Sequence, residues 1–336
     1  MHDRDPPPEP RAAAPPTGAP RRRRRRVLIA LVAIVVALNG LAWRHARAMT
    51  TYAPAGPRTP RPEDLSLLQR ASVLLGGVRL SRPELRRAPA EVGLVAETVR
   101  FTAADGLELE AWHVPAGVDA RGSVILVPGW GSARDTLLDQ AGELRRLGWH
   151  VLLLDLRGTG GSAGERCTLG ISEALDVLAA AAYLARRDPR PPVLLGVSLG
   201  ASAVLRAVAV HDLTPRGVIL ESCFADLRAT TQARFRLMGL PGSPGAELLL
   251  FWGGLDLGLD PWSHAPRRYA ARVRPPVLLL QGELDPTVPP AEAAALQAAF
   301  PGPTRRVDFP GAGHVSLLGA DPARWRTEVA AFLDGL

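Results

Sequence analysis

The sequence predicts an α/β domain: a mostly parallel central sheet with helices on both faces and a small helical lid. Three observations carry this. From about Val92 onward, an alternating hairpin gives way to short apolar strands separated by helical stretches. One strand turns into a helix through Gly196-Val197-Ser198-Leu199-Gly200, with no loop between them. The alternation is then interrupted once, from Phe224 to about Arg274, by a stretch without any strand-like run.

Residues 1–26 are rich in Pro, Ala and Arg, nearly free of large apolar residues, and therefore predicted to be a disordered tail. They end in six arginines, Arg21 to Arg26, and Val27 to Trp43 follow, apolar except for Asn39 and Gly40. Such a helix spans about 25 Å, the short end of what crosses a bilayer. Six arginines before it, against Arg44 and Arg47 after it, predict a single-pass anchor with a cytoplasmic N-terminus and an extracytoplasmic body. Ala46-Arg47-Ala48 has the small-residue spacing of a signal-peptide cleavage site, which would make the body secreted instead. The arginines just past the apolar run favour the uncleaved anchor.

Residues 44–94 read as a linker and a membrane-proximal helix. Residues 50–62 are a Pro-rich tether, and Glu63 to Leu75 predict an amphipathic helix with Leu65, Leu68, Ser72 and Leu75 on one stripe. Packing of that stripe on the body is expected ahead of a place at the membrane or a substrate channel.

The body is assigned to residues 95–336. Glu97–Thr102 and Leu107–Val114 alternate around Asp105-Gly106, a hairpin signature. Apolar strands are expected at Val124–Val127, Val151–Leu154, Val193–Leu195, Val218–Leu220, Val277–Leu280 and Arg306–Phe309. Helices are expected at Thr136–Leu147, Ile171–Ala185, Leu199–Val210, Glu292–Phe300 and Trp325–Leu333. The interruption at about 224–274 is the lid, and its Leu248-Leu249-Leu250-Phe251-Trp252 run is suited to packing the lid down or lining an acyl pocket.

Composition excludes several function classes. The formal charge is +7 and all 40 basic residues are arginine, but residues 1–26 alone contribute +5. The body is nearly balanced, so no nucleic-acid partner is implied. Two cysteines, Cys167 and Cys223, are too few for a disulfide framework, and a single bridge stays open. No Cys/His cluster has ligand spacing, so no metal and no organic cofactor is expected.

The chemistry centres on Ser198. A strained strand-to-helix turn holds its hydroxyl out of the sheet, and small flanking glycines let the backbones approach. Serine needs a base, and the base needs a group that fixes its tautomer. His314 follows the last strand in Gly311-Ala312-Gly313-His314 and is the candidate base. His113, His150, His211 and His264 are assigned structural roles. Asp285 follows the preceding strand and is the candidate orienting acid, with Glu221 and Asp226, then Glu283, as fallbacks. An oxyanion needs converging N–H donors. Leu199, just after the serine, supplies one, and Trp130 in Pro128-Gly129-Trp130-Gly131 supplies the other.

Together the Asp105-Gly106 hairpin, the Pro128–Gly131 segment, the block from Asp155 to Ser162, the Ser198 elbow, the Asp285 segment and Gly313-His314 resemble the α/β-hydrolase superfamily. The nearer likeness is to its serine-aminopeptidase-like and lipase/esterase-like branch of small-lid enzymes, several of which are membrane-anchored. The resemblance covers about residues 95–336 and implies that Asp155 and Arg157 brace the floor of the site. It departs from the pattern at Pro128, where histidine is common. The implied activity is hydrolysis of a carboxylic ester or thioester through an acyl-enzyme on Ser198. Alternatives are an aminopeptidase or dipeptidyl peptidase acting on a short peptide, an acyltransferase, and a catalytically silent binding module of the same fold.

Overall fold

A computed structural model describes residues 19–54, 56–60 and 62–336. Its strands are β1 (Glu97–Thr102), β2 (Glu108–Val114), β3 (Ser123–Val127), β4 (His150–Leu154), β5 (Val193–Val197), β6 (Gly217–Glu221), β7 (Val277–Gly282) and β8 (Thr304–Phe309). The architecture follows from the inner strands, β3 to β7, which are buried on both faces and flanked by half-exposed edge strands. The strands form one sheet in the order β1-β2-β4-β3-β5-β6-β7-β8. β1 and β2 pair antiparallel, as does β2 with β4, and every later pairing is parallel.

The remaining elements are helical: α1 (Ala19–Thr50), α2 (Leu67–Gly76), α3 (Leu138–Arg146), α4 (Glu173–Ala185) and α5 (Leu199–Val210). After these come α6 (Leu227–Leu237), α7 (Gly245–Leu257), α8 (Pro266–Ala270), α9 (Pro290–Gln297), α10 (Leu317–Ala320) and α11 (Pro322–Asp334). Alternate strand residues feed two cores, one on each face of the sheet. Ile125, Leu152 and Leu194 pack with Val177 of α4, Val204 of α5 and Leu296 of α9. Val124, Leu126 and Leu153 pack with Leu138 of α3 and with Trp325 and Val329 of α11. The expected interruption is helical, as α6, α7 and α8 fill it.

The N-terminal region differs from expectation in three ways. The chain divides into a unit of residues 1–41 and a unit of residues 42–336. Residues 19–26, expected to be disordered, are the first turns of α1, because an arginine run carries good helix propensity once an apolar helix follows it. The rest of the predicted tail lies outside the described residues. Residues 51–53 are not a free tether. Thr51 bridges Arg166, Ala53 bridges Ser81, and Tyr52 and Leu80 enter the core. Finally, α2 does not bury its stripe. Ser66 caps it with a reciprocal Gln69 bond, yet no residue of α2 is buried. Of the expected stripe only Leu65 is covered, and it precedes the helix.

Beneath the strand ends lies a buried charge network. Asp155 accepts from the Arg134 backbone N–H at 2.8 Å, from Arg134 Nη1 at 2.7 Å and from the Gly161 N–H at 2.9 Å. Arg134 Nη2 reaches Glu110 at 2.6 Å, and Arg157 holds Asp176 at 2.6 Å. Burial pushes the Asp155 carboxyl up to about 6, opposed by the Arg134 charge. Removing one partner would strand a buried charge, so this network fixes the loops that follow β3 and β4.

Candidate active site

Ser198 sits between β5 and α5 with φ +52° and ψ −110°, a conformation few side chains tolerate. Its backbone N–H donates to the Glu221 carbonyl at 2.8 Å, which ties the elbow to β6. The flanking glycines have a steric cause. A β-carbon at Gly196 would lie 2.6 Å from the backbone of Ala201, and one at Gly200 would run into the carbonyls of Val127 and Pro128. Gly129 passes so near that a β-carbon there would sit 3.6 Å from Cβ of Ser198. The Leu199 and Trp130 backbone N–H groups have no acceptor among the described residues.

Asp285 and His314 come from loops after β7 and β8, and the neighbouring backbone brings them together. A β-carbon at Gly282 would fall 2.5 Å from the Gly313 carbonyl, and the Leu284 N–H donates to Ala312 at 2.8 Å. Asp285 is buried. One carboxylate oxygen accepts from the Thr287 and Val288 N–H groups at 2.9 and 2.8 Å. The other lies 2.7 Å from His314 Nδ1. The carboxylate is thus held from one side and offered to the imidazole from the other.

Two of the fallback acids are engaged elsewhere. Glu221 is buried and accepts from Trp325 Nε1 at 2.7 Å, and burial pushes its carboxyl up to about 7. Asp226 caps α6 through the Arg228 and Ala229 N–H groups and pairs with Arg267 at 3.5 Å. Glu283 is exposed. His264 has the expected structural role. Burial, helped by the Arg206 charge, pushes its imidazole down to about 3. Its Nε2 lies 3.0 Å from the Leu169 carbonyl, an acceptor only, so the proton is on Nε2. Tyr269 then donates to Nδ1 at 3.0 Å and receives from Arg206 at 2.7 Å. Ser202, one turn beyond Ser198, is 2.8 Å from His264 Nε2, so this chain braces the helix under the elbow.

Two arginines that local sequence patterns do not single out flank Trp130. Arg58 lies 5.2 Å and Arg234 4.8 Å from the ring centroid, and Arg58 donates to the Gly131 carbonyl at 2.6 Å. Arg58 comes from the Pro-rich stretch and Arg234 from α6, so no spacing rule connects them. A surface cavity of about 830 Å³ lined by Leu94, Asp139, Leu318 and Arg326, among others, contains none of the candidate residues. Cys167 and Cys223 are both free and buried, so the bridge left open by the sequence is not formed.

This elbow, on this sheet, defines a hydrolase class. A model of the alpha/beta hydrolase family matches residues 124–328, and the chain belongs to that family. It is 30% identical over 293 residues to the uncharacterized protein Rv2307c of Mycobacterium tuberculosis, covering 85% of this chain and 87% of that one. It is 26% identical over 192 residues to the lysophosphatidylserine lipase ABHD12 of Macaca fascicularis, 54% of this chain and 46% of that one. The Pyrococcus furiosus esterase Pf2001 superposes with a TM-score of 0.63 at 21% identity, covering 76% of this chain and 98% of the esterase.

Proposed function

We propose that this hydrolase is a membrane-anchored serine enzyme that cleaves a carboxylic ester or thioester. The observation that carries the reading is the Asp285–His314 contact of 2.7 Å, with the opposite carboxylate oxygen saturated by two backbone N–H groups. An Nδ1–H donated to Asp285 leaves Nε2 as the base. Nε2 takes the Ser198 proton as Oγ attacks the acyl carbonyl, and the Leu199 and Trp130 N–H groups stabilise the oxyanion. The acyl carbon–oxygen or carbon–sulfur bond breaks, and His314 gives the proton to the leaving oxygen or sulfur. A water, activated by the same imidazole, then releases the acid and frees Ser198. No step calls for a metal.

The lysophosphatidylserine lipase and the esterase among the similar proteins support an acyl ester as substrate. The peptidase reading is weaker. It needs an acid to hold a free amine, and Glu221 and Asp226 are already bound to Trp325 and to the start of α6. The anchor reading rests on α1, whose residues Arg22–Thr50 are long and apolar enough to cross a membrane. With the arginine run on its N-terminal side, the body is extracytoplasmic.

Turnover of p-nitrophenyl esters of graded acyl length, beside aminoacyl anilides, by the detergent-solubilised full chain tests this reading. Ester hydrolysis lost in Ser198→Ala is expected. Anilide hydrolysis alone would replace it with the peptidase reading, and acyl transfer to an added alcohol in place of hydrolysis would make the enzyme an acyltransferase.

A further inference from the structure

Helix α2 is an apolar helix that buries none of its residues, with Arg70, Val73 and Leu74 only half-covered. Leu67, Leu68 and Leu75 are 82%, 85% and 74% exposed, an arrangement that a water-facing helix has no reason to keep. Its position in the chain suggests what covers it. The last carbonyls of α2, left without helical partners, are held by the two residues that follow Trp43. Arg44 donates to the carbonyls of Leu75, at 3.1 Å, and Gly76, and His45 Nε2 donates to Leu74 at 2.9 Å. Trp43, which closes the apolar run of α1, is itself partly exposed. The lid helix α7 is tied to the same segment. Arg47 donates to Asp256 at 3.0 Å, and α7 leaves Phe251 and Leu255 exposed.

We propose that α2 and the exposed side of α7 lie in the surface of a phospholipid bilayer, around the point where α1 leaves it. The inference rests on the anchor reading and goes beyond it. A single-pass anchor alone leaves the body free to stand off from the membrane. Two apolar helices bonded to residues 44–47 hold it down, with Arg44 and Arg47 at the depth of the phosphates and the leucines below them. Leu250 of α7 packs with Val288 in the loop that carries Asp285, so the helix covering this loop would then face lipid, the phase into which an acyl substrate partitions.

The test uses the full chain reconstituted into phosphatidylcholine–phosphatidylglycerol vesicles. Single cysteines carry an environment-sensitive fluorophore at Leu68→Cys, Leu75→Cys and Leu255→Cys. Val118→Cys, on a fully exposed loop, serves as the aqueous control and Val35→Cys as the anchor control. Cys167 and Cys223 are buried and stay unlabelled in the folded protein. The expected result is blue-shifted emission at 68, 75 and 255, quenched several-fold more by lipids spin-labelled near the headgroup than by lipids labelled deep in the chain. Position 118 should read as water and position 35 as deep. Water-like emission at 68 and 75 with position 35 deep would overturn the inference and leave the anchor intact. A blue shift without lipid quenching would also overturn it, by pointing to a second copy of the chain. Lack of quenching at position 35 would defeat the anchor reading itself.

Discussion

Replacing Asp285 by asparagine isolates the role of one proton. The carboxylate oxygen facing Thr287 and Val288 receives two N–H donors at 2.9 and 2.8 Å. An amide NH2 turned toward them would leave three donors facing one another in a buried site, so the amide must turn its oxygen that way. Its NH2 then faces His314 Nδ1, where the carboxylate oxygen stood at 2.7 Å. A donor at that place forces Nδ1 to accept and puts the imidazole proton on Nε2, the nitrogen that must take the proton from Ser198. The same inversion in serine proteases lowers kcat by about 10⁴, equivalent to ~5.5 kcal/mol of transition-state stabilisation. Asp285→Asn should therefore lower kcat on a p-nitrophenyl ester by ~10³ to 10⁴, with KM and the unfolding temperature nearly unchanged. Fluorophosphonate labelling should slow by a similar factor. Asp285→Ala should also lose stability, since it orphans two buried N–H groups. A loss of less than about tenfold in a folded Asp285→Asn protein would refute the orienting role and reduce Asp285 to a turn residue.

Two further outcomes follow from packing and charge. Gly200→Ala should disrupt the elbow, because the added carbon would lie 2.6 Å from the Pro128 carbonyl. A cost of ~1–3 kcal/mol in urea unfolding, with most esterase activity lost through displacement of the Leu199 N–H, is expected; wild-type activity would show that the elbow yields. Glu221→Gln keeps an acceptor for Trp325 Nε1 and removes the ionisable group. Burial raises the Glu221 carboxyl from an ordinary 4.5 to about 7 in the folded chain. Its favourable contribution is therefore complete below 4.5 and lost as pH rises through 7. The variant should match wild type near pH 4.5 and be more stable by up to ~3 kcal/mol at pH 8. Parallel pH–stability curves for the two proteins would contradict this.

What could be read from the sequence was whatever local constraint writes into it. The glycines at 196 and 200 are there because backbone passes where a side chain would be, and that close approach is visible as a motif around Ser198. The placement of Asp285 and His314 was legible because each follows a strand of a parallel sheet, whose loops gather at one end. Strand ends shifted by one or two residues, as β5 did in running on to Val197, because ladder pairing continues past the apolar stretch. Long-range burial was illegible. Nothing near Tyr52 announces that it will enter the core, since its cover comes from the distant loop that carries Gly158, Glu165 and Arg166. The stripe on α2 shows the opposite limit: periodicity indicates an apolar face and not what covers it. Arg58 beside Trp130 belongs with Tyr52, a contact made across the fold by a segment composed like a tether.

Every step of the proposed chemistry starts from Ser198 as the nucleophile. The most direct test of this role treats the full chain with a fluorophosphonate probe and maps the adduct by peptide mass spectrometry, with Ser198→Ala and His314→Ala in parallel. A single adduct on the peptide carrying Ser198, absent from Ser198→Ala and formed far more slowly in His314→Ala, is the predicted result. An adduct on another serine, or none in a folded protein, would contradict this role.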